Sequence, residues 1–236
     1  MYRDQGVVLR TIKLGETDRI VTILAHGHGK VRAVAKGVRK PGSRFGARLE
    51  PTVHLLFQCY RGRELDVVTQ VETIDANRAL REHYGGLTHA ISMLEAVDQV
   101  APEREPIPAL YRMLVGALRT LAATPSPIVS TGFFWKLLSL EGLHPVVDAC
   151  VHCDAADDLV AFDAHEGGAL CASCARYGGR SIRPETLEAL RRILGGDLRS
   201  VLAVPPDAAT LGELERLALG ALESHLERRL RSAALL

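Results

Sequence analysis

Short apolar runs separated by polar turns fill the first third of the chain. Residues 7–13 are apolar and β-branched, the polar GETD at 15–18 makes a turn, and residues 20–25 form a second apolar run. The glycines of His26-Gly27-His28-Gly29 suit a tight hairpin. Between residues 30 and 36, Val31, Ala33 and Ala35 share one face, while Lys30, Arg32, Val34 and Lys36 share the other. That is the period of a half-buried strand. Residues 54–60 predict a fourth strand. Beyond Arg61-Gly62-Arg63, a fifth alternates Leu65, Val67, Thr69 and Val71 against Asp66, Val68, Gln70 and Glu72. Five short strands are too few for an ordinary sandwich but enough for a small closed barrel of the OB type.

From about residue 78 the period changes to that of helices. Leu87, Ile91, Leu94 and Val97 recur at helical spacing, and residues 108–123 carry Leu110, Leu114 and Leu118. Ser126 and Pro127 read as an N-cap and first helical residue, opening a helix through Phe133, Leu137 and Leu140 to Gly142. Pro184 opens another, closed by Gly195-Gly196. Thr210 and Glu213 have capping-box spacing before a last helix with Leu214, Ala218, Leu222, Leu226 and Leu230. The expected fold is α+β: residues 1–79 an OB-fold nucleic-acid-binding barrel, and residues 80–236 an all-α domain interrupted by a metal-binding insertion at 147–178.

Charge sharpens the division. The chain has 236 residues, 29 basic and 28 acidic, for a formal net charge of +1. Residues 1–80 hold 14 Lys/Arg against 8 Asp/Glu, and the rest of the chain holds 15 against 20. The balances are +6 and −5, so the small total is a cancellation. It excludes a protein that is basic all over, not one with a local basic surface. Residues 30–48, KVRAVAKGVRKPGSRFGAR, contain seven basic residues and no acid: Lys30, Arg32, Lys36, Arg39, Lys40, Arg44 and Arg48. Gly37, Pro41, Gly42 and Gly46 make the second half of this run a loop. A charge run of this kind is often only a solvated loop. Seven like charges without a counter-charge nonetheless favour a polyanion partner. Phe45 offers one stacking face for a base. Few aromatics accompany it, so binding led by the backbone, with steep salt dependence and little sequence readout, is expected.

Four of the five cysteines form C-x2-C-x17-C-x2-C: Cys150, Cys153, Cys171 and Cys174. Each CxxC turns two thiolates toward one ion, and four complete a tetrahedral zinc shell. A full shell leaves no open position, so one structural Zn2+ is expected. Paired redox disulfides and an iron–sulfur cluster are the competing uses of four thiols. His152 and His165 are left out of the ligand set, and Cys59, within a strand, reads as a small buried residue.

No P-loop, HExxH or GxSxG motif is present, the acids of the basic module form no obvious metal-binding nuclease set, and the histidines are scattered. A catalytic site is therefore not expected. No apolar run approaches the roughly 20 residues that span a bilayer. The opening MYRDQGVVLR lacks the apolar stretch of a secretory signal. A reducing cytoplasm is the expected setting. Two other classes stay open on the residues alone: an RNA-binding module, and a cysteine-dependent redox or metal enzyme.

Longer stretches carry a resemblance. GVVLRTIKLGETDRIVTIL, GKVRAVAKGVRKPGSRFGARLEP and RGRELDVVTQVE, followed by FFWKLLSLEGLHPVVDACVHC and AFDAHEGGALCASC, resemble the bacterial RecO family of DNA repair proteins over most of residues 6–176. The resemblance implies an OB-fold, a helical domain with a zinc motif, and a non-enzymatic recombination mediator. It implies binding of single- and double-stranded DNA and annealing of complementary strands. With RecR as partner, it implies loading of RecA onto DNA coated by single-strand-binding protein, in the bacterial nucleoid. Matched residue by residue, DNA contact falls on Lys30, Arg32, Lys36, Arg39, Lys40 and Arg44, and zinc ligation on the four paired cysteines. One departure is Asp154, where the family often has glycine.

Overall fold

Period-two apolar residues fold into five strands: β1 (Tyr2–Leu14), β2 (Asp18–Ala25), β3 (Gly29–Ala35), β4 (His54–Tyr60) and β5 (Asp66–Asp75). The computed structural model describes residues 1–235. These strands close into a barrel of order β1-β2-β3-β5-β4, with β1 and β4 antiparallel from Tyr2↔Cys59 to Val7↔His54. That order is the OB topology, and closure leaves no strand edge unpaired. β3 meets β5 in parallel through Ala33↔Asp66 and Val34↔Val67. The barrel core includes Val21, Ile23, Val31, Ala33, Leu55, Phe57 and Val68. Gly29 sits at φ +66, and a Cβ there would lie 2.2 Å from the Glu105 carbonyl oxygen, so this turn requires glycine.

The facing of β5 switches at the register shift opposite Gln58 and Cys59. Before it Asp66 and Val68 are buried and Val67 half-buried, while beyond it Val71 packs against the core and Gln70 and Glu72 are exposed. A buried aspartate occupies a position that periodicity alone assigns to the outer face.

Two compact units divide the chain, Met1–Pro125 and Ser126–Ala233. The first contains the barrel with α1 (Arg78–Glu82), α2 (Tyr84–Val100) and α3 (Pro108–Ala123). α2 packs on β1, and Arg10 joins Asp98 of α2 at 2.5 Å.

The second unit is built on α4 (Pro127–Leu140), whose Phe133, Phe134, Trp135, Leu137 and Leu138 are all buried. Ser126 caps it, its hydroxyl accepting from the Ile128 amide. Around it pack α5 (Pro184–Leu194), α6 (Leu198–Ala203) and α7 (Ala208–Leu226). The residue that caps α7 is Asp207, whose carboxylate accepts from the Thr210 amide, so the helix begins two residues before the Thr210 expected to cap it. Glu213 instead accepts from the Thr186 hydroxyl and the Arg183 amide. α7 ends at Leu226, with Glu227 at φ 49, so Leu230 lies beyond it.

The interruption is itself ordered. Between α4 and α5 lie β6 (Leu159–Asp163), β7 (Gly168–Cys171) and β8 (Arg180–Ser181), forming a three-stranded sheet of order β7-β6-β8. The second half is thus helical around a small sheet rather than helical throughout. No helix among the described residues is long and apolar enough to cross a membrane.

Candidate nucleic-acid interface and metal centre

The basic run leaves the end of β3 and crosses to β4. Three apolar residues pin it to the barrel: Val38, Phe45 and Leu49 are buried and belong to the barrel core. Phe45 is therefore not an exposed stacking face. Its ring is 2% exposed, because an aromatic in a loop over an open barrel end gains more from burial than from solvent. The basic residues beside these anchors are turned outward: Lys36, Arg39, Lys40 and Arg44 are all exposed.

Backbone contacts hold the loop in shape. Asp18 accepts from the Gly37 amide at 2.7 Å and the Thr17 hydroxyl at 2.8 Å. Those two bonds, the amide first, hold its carboxyl below the usual range. Arg39 donates from its own amide to the Thr17 carbonyl at 2.9 Å and from its guanidinium to the Glu16 carbonyl at 2.9 Å. The Arg44 guanidinium lies 4.9 Å from the centre of the Phe45 ring. None of these four cations has a carboxylate within ion-pair distance among the described residues.

Lys30 and Arg32 stand apart from that group. Lys30 is mostly buried, its ammonium 2.5 Å from the Asp98 carbonyl and 3.7 Å from the Asp98 carboxylate. Arg32 lies 3.6 Å from the Glu103 carboxylate. The six cations expected to act together thus divide into four on the loop and two on the β3 strand facing acids.

Sequence reading missed a second group of arginines. Arg44 and Arg48 share a cleft of about 400 Å³ with Arg78 and Arg81 of α1. Arg44, Phe45 and Arg48 also line a neighbouring cleft of about 410 Å³. There, Arg3 donates to the Gln58 and Gln70 side-chain oxygens at 3.0 and 3.4 Å. Strand register accounts for that row, since Arg3 pairs with Gln58 and Gln58 with Gln70. Nothing in the local sequence links Arg3 or Arg81 to the loop.

At the cysteines, sequence and structure meet directly. The sulfurs of Cys150, Cys153, Cys171 and Cys174 all lie within 4.8 Å of one another. Cys153 and Cys171 sulfurs are 3.7 Å apart. A tetrahedral thiolate shell with metal–sulfur bonds of about 2.3 Å separates its sulfurs by about 3.8 Å, so the donor set fits one thiophilic ion. Each pair is bent by a knuckle: Asp154 donates to the Cys150 carbonyl at 2.9 Å, and Cys174 to the Cys171 carbonyl at 3.0 Å. Backbone amides of Cys171, His152 and Cys153 point at Cys150 and draw its thiol down toward the thiolate that a metal needs. Gly168 of β7 is packed so closely that a Cβ would lie 2.3 Å from Val151 Cγ1 and 2.6 Å from the Val146 carbonyl oxygen. His152 and His165 are outside the cluster, and Cys59 is fully buried in the barrel.

Asp154 sits at φ 59, in the left-handed region that favours glycine. Asp154→Gly should therefore raise the thermal midpoint of the metal-bearing unit slightly, by the equivalent of at most about 1 kcal/mol. A calorimetric midpoint that falls would mean that the aspartate side chain contributes something its exposed position does not suggest.

Two protein-family models match the chain, Recombination protein O N terminal over residues 1–77 and Recombination protein O C terminal over residues 81–234. The first covers the barrel, and the second runs from the end of α1 through the cysteine cluster to the helices beyond.

Proposed function

Because the chain belongs to the recombination protein O family of DNA-repair recombination mediators, we propose that it binds single- and double-stranded DNA and anneals complementary strands without covalent chemistry. The observation that carries this reading is the loop of Lys36, Arg39, Lys40 and Arg44, held by three buried anchors, exposed, and with no carboxylate within ion-pair distance among the described residues. Two strands repel through their phosphates, and a surface that neutralises both brings them together. Lys30 and Arg32 extend this surface along β3, tempered by Asp98 and Glu103. Residues 1–79 act as the DNA-binding domain, and residues 80–236 as the helical domain, with the metal insertion at 147–178. Cys150, Cys153, Cys171 and Cys174 hold one structural Zn2+. In the bacterial cytoplasm, at the nucleoid, the protein works with RecR and single-strand-binding protein to load RecA.

The test is annealing of complementary oligonucleotides by the triple variant Lys36→Ala/Arg39→Ala/Lys40→Ala. Three lost phosphate contacts should make the log–log salt slope for single strands shallower by about 2. Annealing should slow in parallel. Unchanged slope and rate would remove the loop from the DNA path.

A further inference from the structure

We propose that Arg44, Arg48, Arg78 and Arg81 form a phosphodiester-binding cleft that carries the DNA path off the loop and onto α1, an inference that rests on the DNA-binding reading above. All four arginines line one cleft of about 400 Å³ that no carboxylate lines. All four arginines are exposed, and none forms an ion pair among the described residues. Like charges gathered in one place repel, and the fold has gathered these without neutralising them.

The gathering is built into the backbone. Asn77, immediately before α1, is buried at φ 46 and donates its side-chain amide to the Thr52 carbonyl at 2.8 Å. Its own amide donates to the Asp75 carboxylate at 2.8 Å. Asparagine tolerates that left-handed conformation, and the two bonds fix where α1 starts relative to the loop that precedes β4. Arg81 then reaches the Pro51 carbonyl at 3.5 Å, Arg48 the Arg44 carbonyl at 3.1 Å, and Arg44 lies over Phe45. Three of the four side chains are thus placed by neutral partners, with donors left over for an anion.

A planar fork of donors matches the paired oxygens of a phosphate better than a lysine ammonium does. The anion is a polymer rather than a free ion, because the cleft does not stand alone. The turn bearing Arg44 and Arg48 separates it from the neighbouring cleft, where Arg3 lies on the Gln58 and Gln70 amides. A chain draped over that turn meets guanidinium groups on both sides, although Asp4 and Glu72 also line the neighbouring cleft, and the amides offer donors and acceptors to base edges.

The experiment measures binding of a labelled single-stranded oligonucleotide by anisotropy across a range of salt concentrations, using the full chain. Arg78→Ala/Arg81→Ala should make the log–log slope shallower by about 1.4, two contacts at about 0.7 each. Arg78→Lys/Arg81→Lys keeps both charges and should restore the slope while leaving affinity below wild type. A reduced slope in both variants would signal damage to the fold and overturn the assignment. Inorganic tripolyphosphate at equal phosphate concentration should compete far less well than unlabelled oligonucleotide, and equal competition would overturn a polymer site. If the alanine pair binds with unchanged slope while the loop triple variant loses binding, the cleft falls and the loop stands. If wild type shows no salt-dependent binding, the DNA reading itself fails.

Discussion

Cys171→Ala is expected to unfold the part of the second unit around the cysteine cluster and to abolish binding of the ion that the four thiols could hold. The fully buried apolar cluster there is small: Cys150, Ala161, Leu170 and Cys171, two of which are themselves thiol donors. Phe162 of β6 packs against Trp135 of α4, but a core of that size cannot hold the two cysteine knuckles together by burial alone. Closing a tetrathiolate shell around an ion would supply the difference, since structural zinc in finger peptides contributes about 10–16 kcal/mol of apparent folding free energy. That matches or exceeds the roughly 5–15 kcal/mol by which an ordinary domain is stable. Limited proteolysis should therefore open the chain between β6 and β8 in the variant and not in wild type. The released ion should titrate at one per chain from wild type. Cys59→Ala provides the control, since Cys59 lies in the barrel and should leave metal content unchanged. A Cys171→Ala protein that melts and resists protease like wild type would show that the ion, if bound, does not support the fold.

Local signals were legible in the sequence where the physics is local. Pro108, the Ser126-Pro127 pair and Pro184 mark helix starts that the structure keeps, because a cap or a fixed φ acts within one turn. The CxxC pairs likewise predict their own knuckles. Signals that depend on distant partners were not legible. Asp66 reads as an outward residue of β5 until Tyr2 and Arg104 reach it from elsewhere in the chain. Phe45 reads as exposed because its neighbours are basic and glycine-rich, and only the closed barrel supplies the core that receives it. Asp207 and Thr210 both have cap-forming side chains, and packing chose the earlier.

The same distinction runs through the interface. That residues 36–48 form a cationic loop follows from composition, and the structure turns four of its cations outward. That Lys30 and Arg32 face Asp98 and Glu103 could not follow, since those acids lie on and just beyond a helix more than sixty residues on. Arg78 and Arg81 fall at the start of the helical pattern, where charges usually mark only a solvated face. They gain meaning from a cleft that sequence does not show.

Asp66→Ala is expected to cost the barrel about 1–3 kcal/mol, the range found when buried hydrogen-bonding groups lose their partner. The Asp66 side chain is fully buried. It accepts from the Tyr2 hydroxyl at 2.5 Å, and from the Arg104 guanidinium and the Gly62 amide at 3.1 Å each. Burial by itself would raise the Asp66 pKa, but the bonds from Tyr2, Arg104 and Gly62 together outweigh it and hold the carboxyl below its ordinary value. Alanine would leave two donors and a cation without an acceptor at the point where β3 and β5 close the barrel. The sign of the pH dependence follows. A carboxyl whose folded pKa is depressed contributes stability that is complete above its unfolded pKa of about 3.9 and is lost as pH falls below it. His54 acts earlier and in the same direction. Burial, with Arg119 nearby, lowers its pKa, so the folded state resists the proton that the unfolded chain takes up below about pH 6.5. Urea melts of wild type should therefore show stability level near neutrality, a first decline below about pH 6.5 from His54 and the likewise buried His89, and a second below about 3.9 to which Asp66 contributes with Asp18, Asp197 and Asp207. Asp66→Asn should keep the first decline and make the second shallower. Since β3 leads into the basic loop but Asp66→Ala removes no cation, its DNA affinity should fall with stability while the salt slope stays at the wild-type value. An alanine variant as stable as wild type at pH 7 would mean that Asp66 is not a keystone of barrel closure.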